Sequence, residues 1–215
     1  MHIPDGFVDL KTVLTTSVVS AGGLGASIYK VKKIFKAKTI AIMGVLAALI
    51  FALQMINFSI PGGTSGHLLG GALSSIIVGP FGGSIILSVV LIVQAFIFND
   101  GGITALGANI FNMAIIGVFS SYLIYYIIRK ISKSKVNFYI AIAVASWFSV
   151  VFASFFAALE LGISGTYAMG ITLKAMILVH MVIGVGEAII TTAIIAFVDR
   201  IRPDLILTMT DERSL

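Results

Sequence analysis

The sequence predicts an all-α integral membrane protein, a bundle of seven helices with its N-terminus outside and its C-terminus inside. Three observations lead there. Hydrophobic residues make up 59% of the 215 and charged residues 11%, with a mean hydropathy of +1.11, whereas a water-soluble domain is roughly half apolar and a quarter charged. Seven apolar stretches recur, at 12–29, 39–58, 67–79, 81–98, 103–128, 138–159 and 172–198. Basic residues fall on alternate connections between them. A strand reading fails, because the runs are too long and lack period-two alternation.

The elements follow in order. A leader, 1–11, carries Asp5, Asp9 and one lysine ahead of the first stretch. That is the reverse of a signal peptide, which starts basic and ends in a small-residue cleavage site, so the first helix is expected to be retained. The basic run KVKKIFKAK (30–38) follows it. The second stretch leads into INFSIPGGTSGH, and the third is short and glycine-rich, meeting the fourth at a Gly79-Pro80 corner. A helix needs about 20 residues to cross a ~30 Å apolar core, so six stretches are long enough and the third is not. NDGG (99–102) precedes the fifth stretch, RKISKSK (129–135) the sixth and LELGISGTY the last; a tail, 199–215, closes the chain. With the N-terminus outside, twelve of the fourteen Lys and Arg, Arg213 among them, lie inside, leaving Lys11 and Lys174 outside. That asymmetry is the positive-inside pattern. The net charge of +5 then sits beside anionic headgroups and needs no nucleic-acid partner. The domain reading is one transmembrane unit: leader 1–11, bundle 12–198 and cytoplasmic tail 199–215.

There is no cysteine, which excludes disulfides, thiolate metal sites and thiol nucleophiles. Neither HExxH nor GxxxxGK[ST] occurs, so the chain holds no zincin site and no P-loop for ATP. Polar residues gather at the outer face: His2, Asp5 and Asp9; Asn57, Ser59, Thr64, Ser65 and His67; Asn99, Asp100, Thr104 and Asn109; Glu160, Ser164 and Thr166. His180 and Glu187, seven residues apart on the last helix, share one face. Ionisable groups inside a membrane segment mark function by default, although a pair satisfied within the bundle is the competing reading.

The start MHIPDGF offers a ligand set. The α-amine of Met1, the deprotonated Met1–His2 amide and His2 Nδ1 can occupy three corners of one plane, with His67 in its glycine-rich loop as the fourth nitrogen. An all-nitrogen square plane points to Ni(II) or Cu(II) over tetrahedral zinc or octahedral magnesium. The lack of Cys and of an outer Met cluster argues against a Cu(I) carrier, so Ni(II) comes first and Co(II) second. Pro4-Asp5-Gly6 is a turn signal that would fold the leader back between the helix ends; the alternative is a leader trailing in solvent.

MHIPDGF, PGGTSGHL, GGITALGANIFNMAIIG (101–117) and GEAIIT (186–191) together resemble the NikM/CbiM family, the nickel and cobalt substrate-binding S components of energy-coupling-factor transporters. The resemblance implies a six-helix S-component core with an extra N-terminal helix, in a prokaryotic cell membrane. It also implies metal held by the Met1 amine, the His2 amide and imidazole, and His67, on a non-enzymatic chain. The partners implied are a transmembrane T component, two ABC-type ATPase subunits and a small accessory membrane subunit. The cobalt branch tends to carry a cysteine in the loop, so this chain looks more like the nickel branch. Asp5, Gln94, Asn109 and Asn112 are candidates to orient the imidazoles, since metal-bound histidine generally donates its other N–H. Small residues Ala37, Ala41, Gly44, Ala48 and Ala52 give the second segment a close-packing face, toward the T component or within the bundle. Two other functions stay open: an intramembrane metal-dependent hydrolase using His67, His180 and Glu187, and an S component for an organic vitamin.

Overall fold

The computed structural model describes residues 1–209; Arg213, counted above in the basic set, and the end of the tail lie outside the described residues. It is all-α apart from one two-residue hairpin. The helices are α1 (Leu10–Ile34), α2 (Ala37–Gln54), α3 (Gly71–Ile97), α4 (Leu106–Asn109), α5 (Val118–Ile131), α6 (Lys135–Ile163) and α7 (Met169–Ile201). A π-helical stretch, Ile110–Gly117, joins α4 to α5 in one rod. Among the described residues, α2, α3, the α4-to-α5 rod, α6 and α7 are long and apolar enough to cross a membrane. The helices overrun the apolar stretches by a few residues because lysines, arginines and polar caps continue them. Asp9 caps α1 by accepting from Thr12 N at 3.0 Å, and Ser134 caps α6 by accepting from Asn137 N at 3.2 Å.

α3 is two arms. Gly79 takes φ 79 and ψ 165, since the proline after it disfavours the helical region. A Cβ placed on Gly83 would meet Ser74 Oγ at 2.9 Å and Ser75 N at 3.0 Å. Nine residues of straight helix span about 13 Å, so 71–78 and 80–97 fold back on one another. The first arm, eight residues or about 12 Å long, is too short to cross.

The short arm leaves room for the chain before it, 55–70: 55–59 and Pro61 stay exposed, and the second half of the segment enters the bundle, with Gly63, Gly66, His67, Leu69 and Gly70 buried. Within this segment β1 (Phe58–Ser59) pairs antiparallel with β2 (Ser65–Gly66), Phe58 opposite Gly66, around a turn containing Pro61 and Gly62. Hydropathy extends the second stretch to 58 and starts the next at 67, because MINF and HLLG are apolar; the structure ends α2 at Gln54 and begins α3 at Gly71. Proline and glycine, and side chains that take over the backbone hydrogen bonds, outweigh that apolarity.

Tight packing surrounds this insertion. On α6 the buried residues Ala141, Ala145, Ser149, Ala153 and Ala157 repeat every four positions, a smooth stripe that admits close approach. Ser149 Oγ donates to Gly117 O at 2.8 Å, and a Cβ on Gly71 would meet both. On α7 one face, Thr172, Met176, His180, Gly184, Glu187, Thr191 and Ile195, is buried. Near the end of α7 two lysines are paired, Lys38 with Asp204 at 3.0 Å and Lys135 with Asp199 at 3.4 Å.

Candidate functional site

The leader enters the bundle. Pro4-Asp5-Gly6 makes the turn, with Gly6 at φ 79, and the three residues before it are buried: Met1 and Ile3 are 0% exposed and His2 4%. Asn109 clasps Ile3 on both sides, its Oδ1 accepting from Ile3 N at 2.8 Å and its Nδ2 donating to Ile3 O at 3.1 Å. Gly102 N also donates to Ile3 O, at 2.8 Å. Asp5 accepts from Thr104 N at 2.6 Å and from Thr104 Oγ1 at 2.5 Å. Thr166 Oγ1 donates to Phe7 O, and the Phe7 ring meets Tyr167 edge-on. A side chain on Gly102 would strike the backbone of Pro4 and Asp5, so this glycine admits the leader by having none.

At the tip of the inserted leader the Met1 amine donates to Ser65 O and, at 2.9 Å, to Ser65 Oγ; the His2 amide N–H donates to the same Oγ at 3.2 Å. The His2 and His67 rings stack, with centroids 4.4 Å apart and planes 19° apart. Hydrogen bonds set the tautomer of each. His2 Nε2 lies 3.1 Å from Gln94 Oε1 and donates to it, which leaves Nδ1 as a bare lone pair. His67 Nδ1 lies 2.7 Å from Leu68 O and donates to it, which leaves Nε2 bare. His2 Nδ1 and His67 Nε2 are both buried without a hydrogen-bond partner. Buried polar atoms are satisfied as a rule, so two orphaned acceptors beside a buried amine mark a place for a ligand that accepts lone pairs. Among the described residues no three His, Cys, Asp or Glu side chains form a metal cluster. A set that includes the amine and the amide needs only two.

Electrostatics keep these nitrogens neutral. Burial holds the Met1 ammonium well below its ordinary value, against the opposing charge of Asp100. His2 is pushed down to about 3, first by burial and then by the neighbouring amine charge, with the Gln94 bond opposing. His67 is lowered by burial first, then by the amine, His2 and His180. Burial raises Asp100, while the amine and Asn57 pull the other way. Nitrogen donors bind metal only when unprotonated, and burial leaves these three nitrogens unprotonated near neutral pH.

The loop bearing His67 is anchored from α7. Glu187, 2% exposed, accepts from Leu69 N at 2.8 Å and Gly70 N at 2.7 Å, and Gln54 Nε2 donates to Leu69 O at 2.7 Å. Gly70, at φ 79, aims two successive N–H groups at one carboxylate, an anion-binding nest. His180 shares that face; its Nδ1 is 2.7 Å from Met176 O, and its ring lies against the Ser65 backbone. With both carboxylate oxygens committed to backbone, Glu187 is a structural anchor here and offers no base for hydrolysis.

Of the four candidate orienting residues, Gln94 touches an imidazole directly. Asn109 holds the leader backbone, and Asp5 holds Thr104. Asn112 donates to Glu160 Oε2 at 2.6 Å, away from both rings. Ser65 and Asp100 stood among the outer-face polar residues and Leu68 within PGGTSGHL, but none was given a role at the site; their contacts with Met1 and the two rings supply one.

The fold and the pocket define a class: multi-pass membrane proteins with a deep polar site at one end of the bundle, suited to carrying a small ligand. The chain belongs to the CbiM family of transmembrane metal-transport proteins; residues 2–205 match the family described as "Cobalt uptake substrate-specific transmembrane region". It is similar to an Archaeoglobus fulgidus protein named for fused nickel transport (NikMN), 42% identical over 208 residues, covering 96% of this chain and 68% of that one. A Haloquadratum walsbyi protein named for metal transport is 36% identical over 217 residues, covering 100% of this chain and 97% of that one. A solved structure titled as a transition metal transporter superposes with a TM-score of 0.90 at 32% identity, over 99% of each chain. The family is one of transport proteins and not of enzymes, which removes the hydrolase reading.

Proposed function

We propose that the chain is the substrate-binding S component of an energy-coupling-factor importer and that it binds Ni(II) as cargo, with Co(II) second. The proposed ligands are the Met1 amine, the His2 amide nitrogen, His2 Nδ1 and His67 Nε2. One observation supports the reading: the leader is folded into the bundle so that a buried amine and an amide N–H meet at Ser65, beside the stacked His2 and His67 rings whose Nδ1 and Nε2 lone pairs are orphaned. On loading, the amine gives up one proton if charged and the amide gives up its own, replacing their bonds to Ser65. Gln94 and Leu68 O keep the two rings in the tautomers that present lone pairs, and Asn109, Gly102 and Thr104 hold the leader in place.

In this reading the six-helix core is joined by α1 as the extra N-terminal helix. The leader end faces outward, the basic end faces the cytoplasm of a prokaryotic cell, and 1–11, 12–198 and 199–215 are leader, bundle and tail. Energy comes from a T component and two ABC-type ATPase subunits, with a small accessory membrane subunit. Nickel stands first because the set is all nitrogen and cysteine-free, and the Archaeoglobus relative carries a nickel name; the family description carries cobalt. Competition of Ni(II) against Co(II) on the purified full chain tests the order. Tighter nickel binding with a square-planar absorption band is the expected result, and tighter cobalt binding would reverse it.

A further inference from the structure

Above the site lies a polar vestibule of about 670 Å³, with His2, Ser65, Asn57, Asn99, Asp100 and Tyr167 on its walls. A water occupies about 30 Å³ of liquid, so a dication with six waters needs roughly 180 Å³ beyond its own volume. The hydrated ion fits. Two acids line the vestibule, and they differ in what they hold. Asp5 is turned to the start of the next segment: its Oδ1 accepts from Thr104 N and Oγ1, and the Ile103 and Ala105 backbone also bonds its carboxylate. Asp100 takes one bond through Oδ2, from Asn57 Nδ2 at 2.9 Å, and turns Oδ1 toward His2 Nδ1 at 3.3 Å.

That second contact is the informative one. His2 donates through Nε2 to Gln94, so its Nδ1 is an acceptor, and so is a carboxylate oxygen. Two acceptors facing each other at this separation repel unless a cation joins them. The Asp100 side chain is 18% exposed and that of His2 3%, so the pair runs from the vestibule water to the buried ring. Charge adds a second reason. A dication bound to one deprotonated amide and three neutral nitrogens keeps one positive charge, which is costly in an apolar bundle; the Asp100 carboxylate supplies the missing negative one.

We propose that Asp100 is the capture ligand of the site: its Oδ1 takes the hydrated divalent cation from the vestibule, passes it to His2 Nδ1, and then remains beside the loaded plane as its counter-charge. This rests on the four-nitrogen reading above. Association is therefore faster than the four nitrogens alone allow, and salt slows it.

The test is stopped-flow uptake of Ni(II) by the full chain with its native amine, followed by the square-planar absorption band at low and high salt. For D100N, association at low salt is expected to slow about tenfold, the lower end of what electrostatic steering supplies, and to lose most of its salt dependence, with the band unmoved. D100S repeats the charge removal with a side chain too small to strain the leader. D100E keeps the carboxylate and is expected to stay within about threefold of wild type, and D9N, whose carboxylate caps α1, within about twofold. If D100N and D100S load as fast as wild type, or D100E as slowly as D100N, the capture role is overturned while the four-nitrogen reading stands. If wild type itself develops no band, both fall.

Discussion

Glu187 lies in the middle of a membrane helix, and the loop it anchors carries His67, the proposed fourth ligand. Replacing Glu187 by alanine leaves Leu69 N and Gly70 N, now bonded at 2.8 and 2.7 Å, without acceptors in a buried place. An orphaned buried donor costs about 1–3 kcal/mol, so the pair costs about 2–6. The loop recovers part of that by shifting its backbone toward other acceptors, and His67, two residues from Leu69, shifts with it. If about 2 kcal/mol of the penalty is expressed as lost placement of the fourth nitrogen, nickel affinity falls about 30-fold, at 1.4 kcal/mol per factor of ten. E187Q keeps one carbonyl acceptor and is expected to lose about fivefold, the equivalent of one neutral-strength bond. Competition against a chromophoric chelator measures the affinity, and hydrogen exchange at Leu69 and Gly70 reports the loop. Faster exchange in E187A with affinity within about threefold of wild type would refute the link between anchor and ligand.

Two further expectations follow from the same geometry. Q94A removes the acceptor that fixes the His2 tautomer and is expected to weaken nickel binding about 10–100-fold, the usual cost of losing such a partner; equal affinity in the same competition assay would take Gln94 out of the site. pH dependence has a definite sign. The Met1 amine and His2 have lower pKa values folded than their ordinary 8.0 and 6.5, so the unfolded chain binds more protons at intermediate pH and stability rises with pH. The stabilisation is complete above about pH 8 and is lost as pH falls past these ordinary values toward the folded His2 value of about 3. Thermal melts of the metal-free chain from pH 8.5 to 5 check it, and a melting temperature that rises on acidification would contradict it.

Much of this was legible in the residues, for physical reasons that differ by feature. Helices announce themselves through length and apolarity, because lipid offers the backbone no partner. The Gly79-Pro80 corner was readable because proline acts on the residue before it. The ends of 55–70 were not: MINF and HLLG are as apolar as a membrane span, yet 55–58 are exposed, and only the bonds from Gln54 and Glu187 show how the buried, non-helical end at Leu69 and Gly70 is satisfied. His180 and Glu187 share a face, as their spacing required, but spacing could not say that Glu187 binds backbone. The π-helical stretch Ile110–Gly117 left no trace in composition. In the leader, chemistry singled out Met1 and His2, which the structure buries beside His67, while the tautomers rest on Gln94 and Leu68 O, contacts made across 92 residues and across one. The orienting roles assigned from polarity alone turned on helix rotation for Asn109 and Asn112 and on the path of the leader turn for Asp5, neither of which one sequence fixes.

The central claim is that the amine of Met1 is a ligand. The most direct test compares nickel binding by the full chain with a free α-amine and with that amine acetylated, each checked by thermal melting for an intact bundle. Acetylation is predicted to abolish the square-planar band and to weaken binding more than ~100-fold, beyond the range reached by losing an outer hydrogen bond. An acetylated chain that melts normally, keeps the band and binds nickel as tightly as the free amine would contradict the account.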